Sequence, residues 1–167
     1  MATTNAVRLS VPSSDSSPKK AALPFSGRLI SPFAALVDGG VRALMVSHSA
    51  VQAIDSENIA SLSVKVMEGW LRRDLGFEGI IISDDFSMAA ANSLAAAGMP
   101  RLSSEEAAIR SLAAGADMVL VWPPDLRRTH RAFLAALEDG SLSRDRLRGA
   151  ASRVIFEKIR MGLIDEN

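Results

Sequence analysis

Two rhythms of apolar and polar residues alternate along this chain. From Leu62 to Leu75 the apolar positions Val66, Met67, Trp70, Leu71 and Leu75 recur at helical spacing, with Lys65, Glu68, Arg72 and Arg73 on the other side. Between such stretches lie short, nearly continuous apolar runs: "VRALMVSH" (41–48), "GIIIS" (79–83) and "ADMVLVW" (116–122). Runs of this length, bounded by turn residues, read as strands of a parallel sheet buried on both faces.

The punctuation agrees with that reading. Pro32 opens and the Gly39–Gly40 pair closes a short helix over 32–40, and Gly76 stops the helix that ends near Leu75. Ser103, with Glu106 three residues on, predicts a capping box at the head of a helix over 103–114, which Gly115 ends. "PPDL" opens a further helix running through Leu137, and a long amphipathic helix follows from Ser143 to near Gly162. The order is helix, strand, helix, strand, helix, strand, helix, helix. Strands alternating with helices imply an α/β fold with parallel pairing and right-handed crossovers.

Three strands are few. A closed eight-stranded barrel takes about 250 residues, and this chain has 167. The alternatives are a small open sheet or part of a larger barrel. Each apolar run also turns polar at its carboxyl end: the first in Ser47 and His48, the second in Ser83, Asp84 and Asp85, the third in Trp122 before two prolines. In parallel α/β folds functional groups gather at that end of the strands. Ahead of the first helix, "MATTNAVRLSVPSSDSSPKK" is rich in Ser, Thr and Pro and reads as a mobile tail. The expected division is a disordered tail over 1–28 and a folded domain over 29–167.

Composition narrows the function classes. Nineteen Lys and Arg balance nineteen Asp and Glu, and no basic stripe stands out, so nucleic acid is not an expected partner. There is no Cys and there are only two His, which argues against a thiolate or polyhistidine metal centre, and no metal is expected. The longest apolar runs are too short to cross a bilayer, and the N-terminus lacks the order of a secretory signal. No membrane partner and a cytoplasmic location are expected.

Asp84 and Asp85 are the strongest candidates for chemistry. Adjacent residues on a strand point in opposite directions, so the two acids are expected to do different jobs, one facing the mouth of the sheet and the other holding the loop. His48 closes an apolar strand, where it either contacts a substrate or is satisfied by a loop carbonyl. His130 sits among Arg127, Arg128 and Arg131 on a charged helix face. A phosphoacceptor site using Asp84, Asp85 and a divalent cation is less favoured, because no lysine stands at a later strand end.

"LRRDLGFEGIIISDDFSM" closely resembles the active-site signature of glycoside hydrolase family 3, in particular its single-domain β-N-acetylhexosaminidase branch. The residues that match are Leu71, Arg72, Leu75, Gly76, Phe77, Gly79, Ser83, Asp84, Asp85, Ser87 and Met88. "SPFAALVDGGVRALMVSH", "ASLS" at 60–63, "AAGADMVLVW" and "DGSLSRDRL" with Arg153 and Lys158 are similar to further family segments, in the family's order. The resemblance implies a partial (β/α)8 TIM barrel made of about the last three to four βα units. It implies that Asp84 is the nucleophile of a retaining glycosidase, with His48, Met88 and Asp85 at the sugar-binding mouth. The implied substrate is a β-linked N-acetylglucosaminide, and no cofactor is needed.

A retaining glycosidase also needs a group that protonates the leaving oxygen and later activates water. In the family branch this role resembles an Asp-Ser-His dyad, preceded by a Lys-His-Phe-Pro-Gly-His segment. The latter is missing from this sequence, and the nearest counterpart of the dyad is Asp15-Ser16-Ser17, with Ser in place of His. The expectation is therefore a truncated hydrolase. The alternative is an inactive half-barrel relic, or a sugar-binding or interaction module that self-associates through open sheet edges.

Overall fold

The computed structural model describes residues 31–88 and 102–165; the tail expected over 1–28 lies outside them. The described elements are α1 (Ser31–Asp38), β1 (Ala43–Val46), a 3-10 turn (Ala60–Leu62), a π-helix π1 (Lys65–Asp74), β2 (Ile80–Asp85), α2 (Ser104–Ala114), β3 (Met118–Leu120), a 3-10 turn (Pro123–Asp125), α3 (Leu126–Glu138) and α4 (Arg144–Arg160). The three strands form one parallel sheet in the order β1-β2-β3. The α/β class and the alternation of strands with helices follow the sequence pattern.

Local chemistry explains the boundaries. The Ser103 hydroxyl accepts from the Glu106 amide at 3.2 Å, and the Glu106 carboxylate accepts from the Ser103 amide at 2.8 Å. This reciprocal pair starts α2. Gly76, at φ 66°, supplies the left-handed turn after π1. Gly79 lets β2 begin against β1: a Cβ there would lie 2.4 Å from the Arg42 carbonyl oxygen. The next amide, Ile80 N, donates to that oxygen at 2.8 Å.

The helix expected over 62–75 takes a wider form. The Leu75 amide donates to the Trp70 carbonyl at 2.9 Å, five residues back. The apolar residues fall as 66/67, 70/71 and 75, a recurrence every four to five residues that either winding keeps on one face. Val66, Met67 and Leu71 are buried, and Met67 and Leu71 pack with Val46, Phe77, Ile81, Ala114 and Ala116 in the core between sheet and helices.

The strands are shorter than their apolar runs, except that β2 extends through Asp85 and so includes both acids. Burial on both faces, expected for all three, is corrected for β1 and β3. Val46 and Ile81 face the helices and are buried, but Met45, Met118 and Leu120 are 62%, 42% and 47% exposed. Met45 pairs with Ile82, and Ile82 with Met118, so these side chains form one row across the sheet. No described element covers that row, because every helix that packs on the sheet does so from the opposite face. β1 and β3 are also edge strands.

Behind the sheet, the Asp117 carboxylate is fully buried between Arg72, Arg146 and Arg153, and its Oδ2 accepts from the Ile81 amide at 3.0 Å. Arg72 also donates to the Phe77 and Gly79 carbonyls at 2.8 and 2.6 Å, and its guanidinium lies over the Phe77 ring. Burial pushes the Arg72 pKa down, against the pull of Asp117. Glu157 on α4 is held by Arg42, whose hydrogen bonds lower its pKa against the effect of burial. These ion pairs fasten π1 and α4 to the amino ends of the strands, leaving the carboxyl ends open.

Candidate active site at the carboxyl end of the sheet

The ladder between β2 and β3 slips where the acids stand. Ile82 pairs with Met118 and Asp85 with Leu120, so three steps on β2 oppose two on β3. Such a bulge bends the strand and re-aims the side chains beside it. The buried Ser83 hydroxyl accepts from the Leu120 amide at 3.1 Å, occupying a donor in the slipped ladder.

The two acids make different hydrogen bonds. Both carboxylate oxygens of Asp85 accept from Ser87, one from its amide and one from its hydroxyl, each at 2.8 Å. Asp84 accepts from the Asp85 amide through Oδ1 at 2.8 Å. Among the described residues its Oδ2 has no hydrogen-bond partner, and the side chain is half-buried at the mouth. Phe86 turns inward and is fully buried, and its carbonyl accepts from the Ser104 hydroxyl at 3.1 Å. The turn is thus anchored to the core and to the head of α2.

His48 and Met88 both converge on Asp85. The His48 Nε2–H donates to the Asp85 carbonyl at 3.0 Å, and the Met88 amide donates to the same oxygen at 3.1 Å. On its other side, His48 Nδ1 lies 2.8 Å from the Ser61 hydroxyl. Because a carbonyl can only accept, Nε2 carries a proton, and the tautomer that puts it there lets Nδ1 accept from Ser61. His48 is 7% exposed and packs against Phe86, ring centroids 4.9 Å apart. The Met88 side chain is 46% exposed beside the acids. His130 is exposed, away from this cluster.

Ser61, Ser63 and Asp55, which order the loop after β1, were not singled out in the sequence, although "ASLS" marked the segment. Asp55 is buried and accepts from the amides of Glu57 and Asn58, the Asn58 side chain and the Ser63 hydroxyl, the last at 2.7 Å. Burial opposes its ionisation, but these hydrogen bonds outweigh it and hold the pKa below the ordinary carboxylate value. No group of three His, Cys, Asp or Glu able to hold a metal occurs among the described residues. No helix among them is long and apolar enough to cross a membrane.

An α/β sheet with paired acids at its carboxyl mouth defines the class. The particular assignment comes from sequence: residues 19–156 match the glycosyl hydrolase family 3 N-terminal domain, and the chain belongs to that family. It is 42% identical over 90 residues to a beta-hexosaminidase of Chromobacterium violaceum, covering 54% of this chain and 23% of that protein. Against a beta-hexosaminidase of Nitrosomonas eutropha it is 37% identical over 92 residues, covering 55% and 24%. A solved family 3 beta-N-acetylglucosaminidase from Paenibacillus sp. FPU-7 superposes with a TM-score of 0.71 at 30% identity, covering 83% of this chain and 26% of that one. The chain thus spans about a quarter of the length of these relatives.

Proposed function

We propose that this chain carries the nucleophile half of a retaining β-N-acetylglucosaminidase site. The single observation that carries the reading is the setting of Asp84: a carboxylate at the carboxyl end of a central parallel strand, on a bulge, with one oxygen held and its neighbour Asp85 committed to the loop. In this reading the Asp84 carboxylate attacks the anomeric carbon as the bond to the leaving oxygen breaks. The leaving oxygen takes a proton from an acid group, and a covalent glycosyl ester forms. Water, deprotonated by the same group, then attacks the anomeric carbon and releases Asp84, with net retention. Asp85 and the exposed Met88 stand beside the sugar.

The sheet is proposed to be the last three to four βα units of a (β/α)8 barrel over residues 29–167. The row Met45, Ile82 and Met118 would be its interior. That the matched segment makes up only about a quarter of these family enzymes supports that assignment. The general acid then comes from outside the described residues. Its absence would remove about 10²–10⁴-fold of rate.

A second reading is favoured by the apolar row that no described element covers and by the two strand edges, unpaired among the described residues. In it the chain is a non-catalytic sugar-binding or interaction module that self-associates. The two readings part on one experiment. The chain is produced together with the part of the Chromobacterium violaceum relative that precedes the matched segment, and release of a chromogenic N-acetyl-β-glucosaminide is measured. Release that Asp84→Ala abolishes is expected. No release, or release indifferent to Asp84, favours the module.

A further inference from the structure

His48 was expected at the sugar-binding mouth, and its hydrogen bonds support a further role. It is buried, and both ring nitrogens are engaged within the protein, to residues 13 and 37 positions away in sequence. We propose that His48 is a positioning residue for the Asp84 carboxylate. Through the Asp85 carbonyl it fixes the turn that carries both acids, and through Ser61 it couples that turn to the loop after β1. This inference rests on the reading of Asp84 as the nucleophile.

The Asp84 carboxylate is aimed by its own rotamer, which the Asp85 amide holds through Oδ1, and by the peptides next to it. The Asp84–Asp85 peptide is held by its own side chain, through the Asp85 amide and Asp84 Oδ1. The Asp85–Phe86 peptide is held by its carbonyl, which accepts from both His48 and the Met88 amide and so has both lone pairs occupied. Phe86 is fully buried beneath the imidazole, so this peptide cannot turn without moving the ring.

The other nitrogen is set just as firmly. Ser61 is buried, its amide donates to the Ser47 carbonyl at 3.2 Å, and the adjacent Ala60 amide donates to Ser49 at 2.9 Å. Asp55 ties down the rest of the loop through Ser63 and Asn58. A rearrangement of that loop, such as one driven by substrate, therefore reaches Asp84 through the imidazole, beside the apolar contact of Leu62 with the Phe86 cluster. The chain of groups is Ser61 hydroxyl, His48 ring, Asp85 carbonyl.

The isotope-labelled chain tests this by NMR. Long-range proton–nitrogen spectra should place the His48 proton on Nε2. In His48→Asn the shorter amide stays near Ser61 and falls short of Asp85. Exchange of the Met88 amide should then rise about five- to tenfold, the effect of one net hydrogen bond, and the Asp84 carboxyl carbon should shift. His48→Gln, whose amide reaches the place of Nε2, should restore both. If His48→Asn does not fold, Ser61→Ala, which keeps the ring, should show the same Met88 and Asp84 changes in weaker form. A proton on Nδ1, an unchanged Asp84 carbon, or equal behaviour of the Asn and Gln variants overturns the proposal, because a merely structural histidine has no reason to favour Gln. Failure of Asp84 to react with a fluorosugar while this coupling stands would instead overturn the nucleophile reading alone.

Discussion

The Ser83 hydroxyl accepts the Leu120 amide at 3.1 Å, at the step where β2 and β3 fall out of register. Asp84 follows directly at the bulge, and the Ser83 hydroxyl gives the Leu120 N–H a partner in the slipped ladder. Ser83→Ala removes that acceptor from a part-buried N–H, at a cost of about 0.5–1.5 kcal/mol. Urea denaturation of the variant checks this. A change within about 0.5 kcal/mol would show that the bulge holds itself.

Asp117 is the second structural anchor. Its side chain is fully buried among three arginines and also receives the Ile81 amide. Removing one partner of a buried ion pair leaves uncompensated charge and costs about 3–5 kcal/mol, a large share of the 5–15 kcal/mol that holds a typical domain together. Asp117→Ala is expected to lower the denaturation midpoint sharply, as read by circular dichroism. A loss below about 1 kcal/mol would contradict the role given to it.

Asp55 makes the fold acid-sensitive. Its pKa is lowered in the folded state by hydrogen bonds that outweigh burial. A group depressed in this way binds its proton more readily when unfolded. Its stabilisation is therefore complete above the ordinary aspartate value, about 3.9, and is lost as pH falls through the lower folded value. Asp55→Asn should be less stable than the parent near pH 7, and the difference should shrink as pH falls below about 4. A gap independent of pH would contradict this assignment.

The exposed row on the sheet should drive association. Met45 and Met118 present apolar side chains on a face that no described element covers. Sedimentation should show oligomers of the parent chain that Met45→Lys with Met118→Lys shifts towards monomer. Identical distributions for parent and variant would exclude this face as the contact.

Much of this was legible from the sequence, and for identifiable reasons. Signals within a few residues of each other survived intact: the Ser103–Glu106 capping box, the glycine after π1, and the polar ends of the apolar runs. The division of labour between Asp84 and Asp85 was inferred from strand alternation, and the different hydrogen bonds of the two acids accord with it. Relations across long separations were not legible. Asp117 reads as the head of an apolar run, and its arginines stand 29 to 45 residues away. The exposure of Met45 and Met118 was hidden for another reason, because an apolar strand looks the same whether or not its second face is covered. The π winding of Lys65–Asp74 was hidden too, since apolar residues every four to five positions suit either helix.

The central claim is that Asp84 is a nucleophile aimed from the mouth of the sheet. It is tested most directly by incubating the chain, alone and completed by the upstream part of a relative, with an activated 2-deoxy-2-fluoro glycoside or its N-acetylglucosaminide counterpart, and mapping the adduct by peptide mass spectrometry. The account predicts a glycosyl ester on the peptide containing Asp84, lost in Asp84→Ala and retained in Asp85→Asn. An ester on Asp85, or no ester in the completed protein, would contradict it.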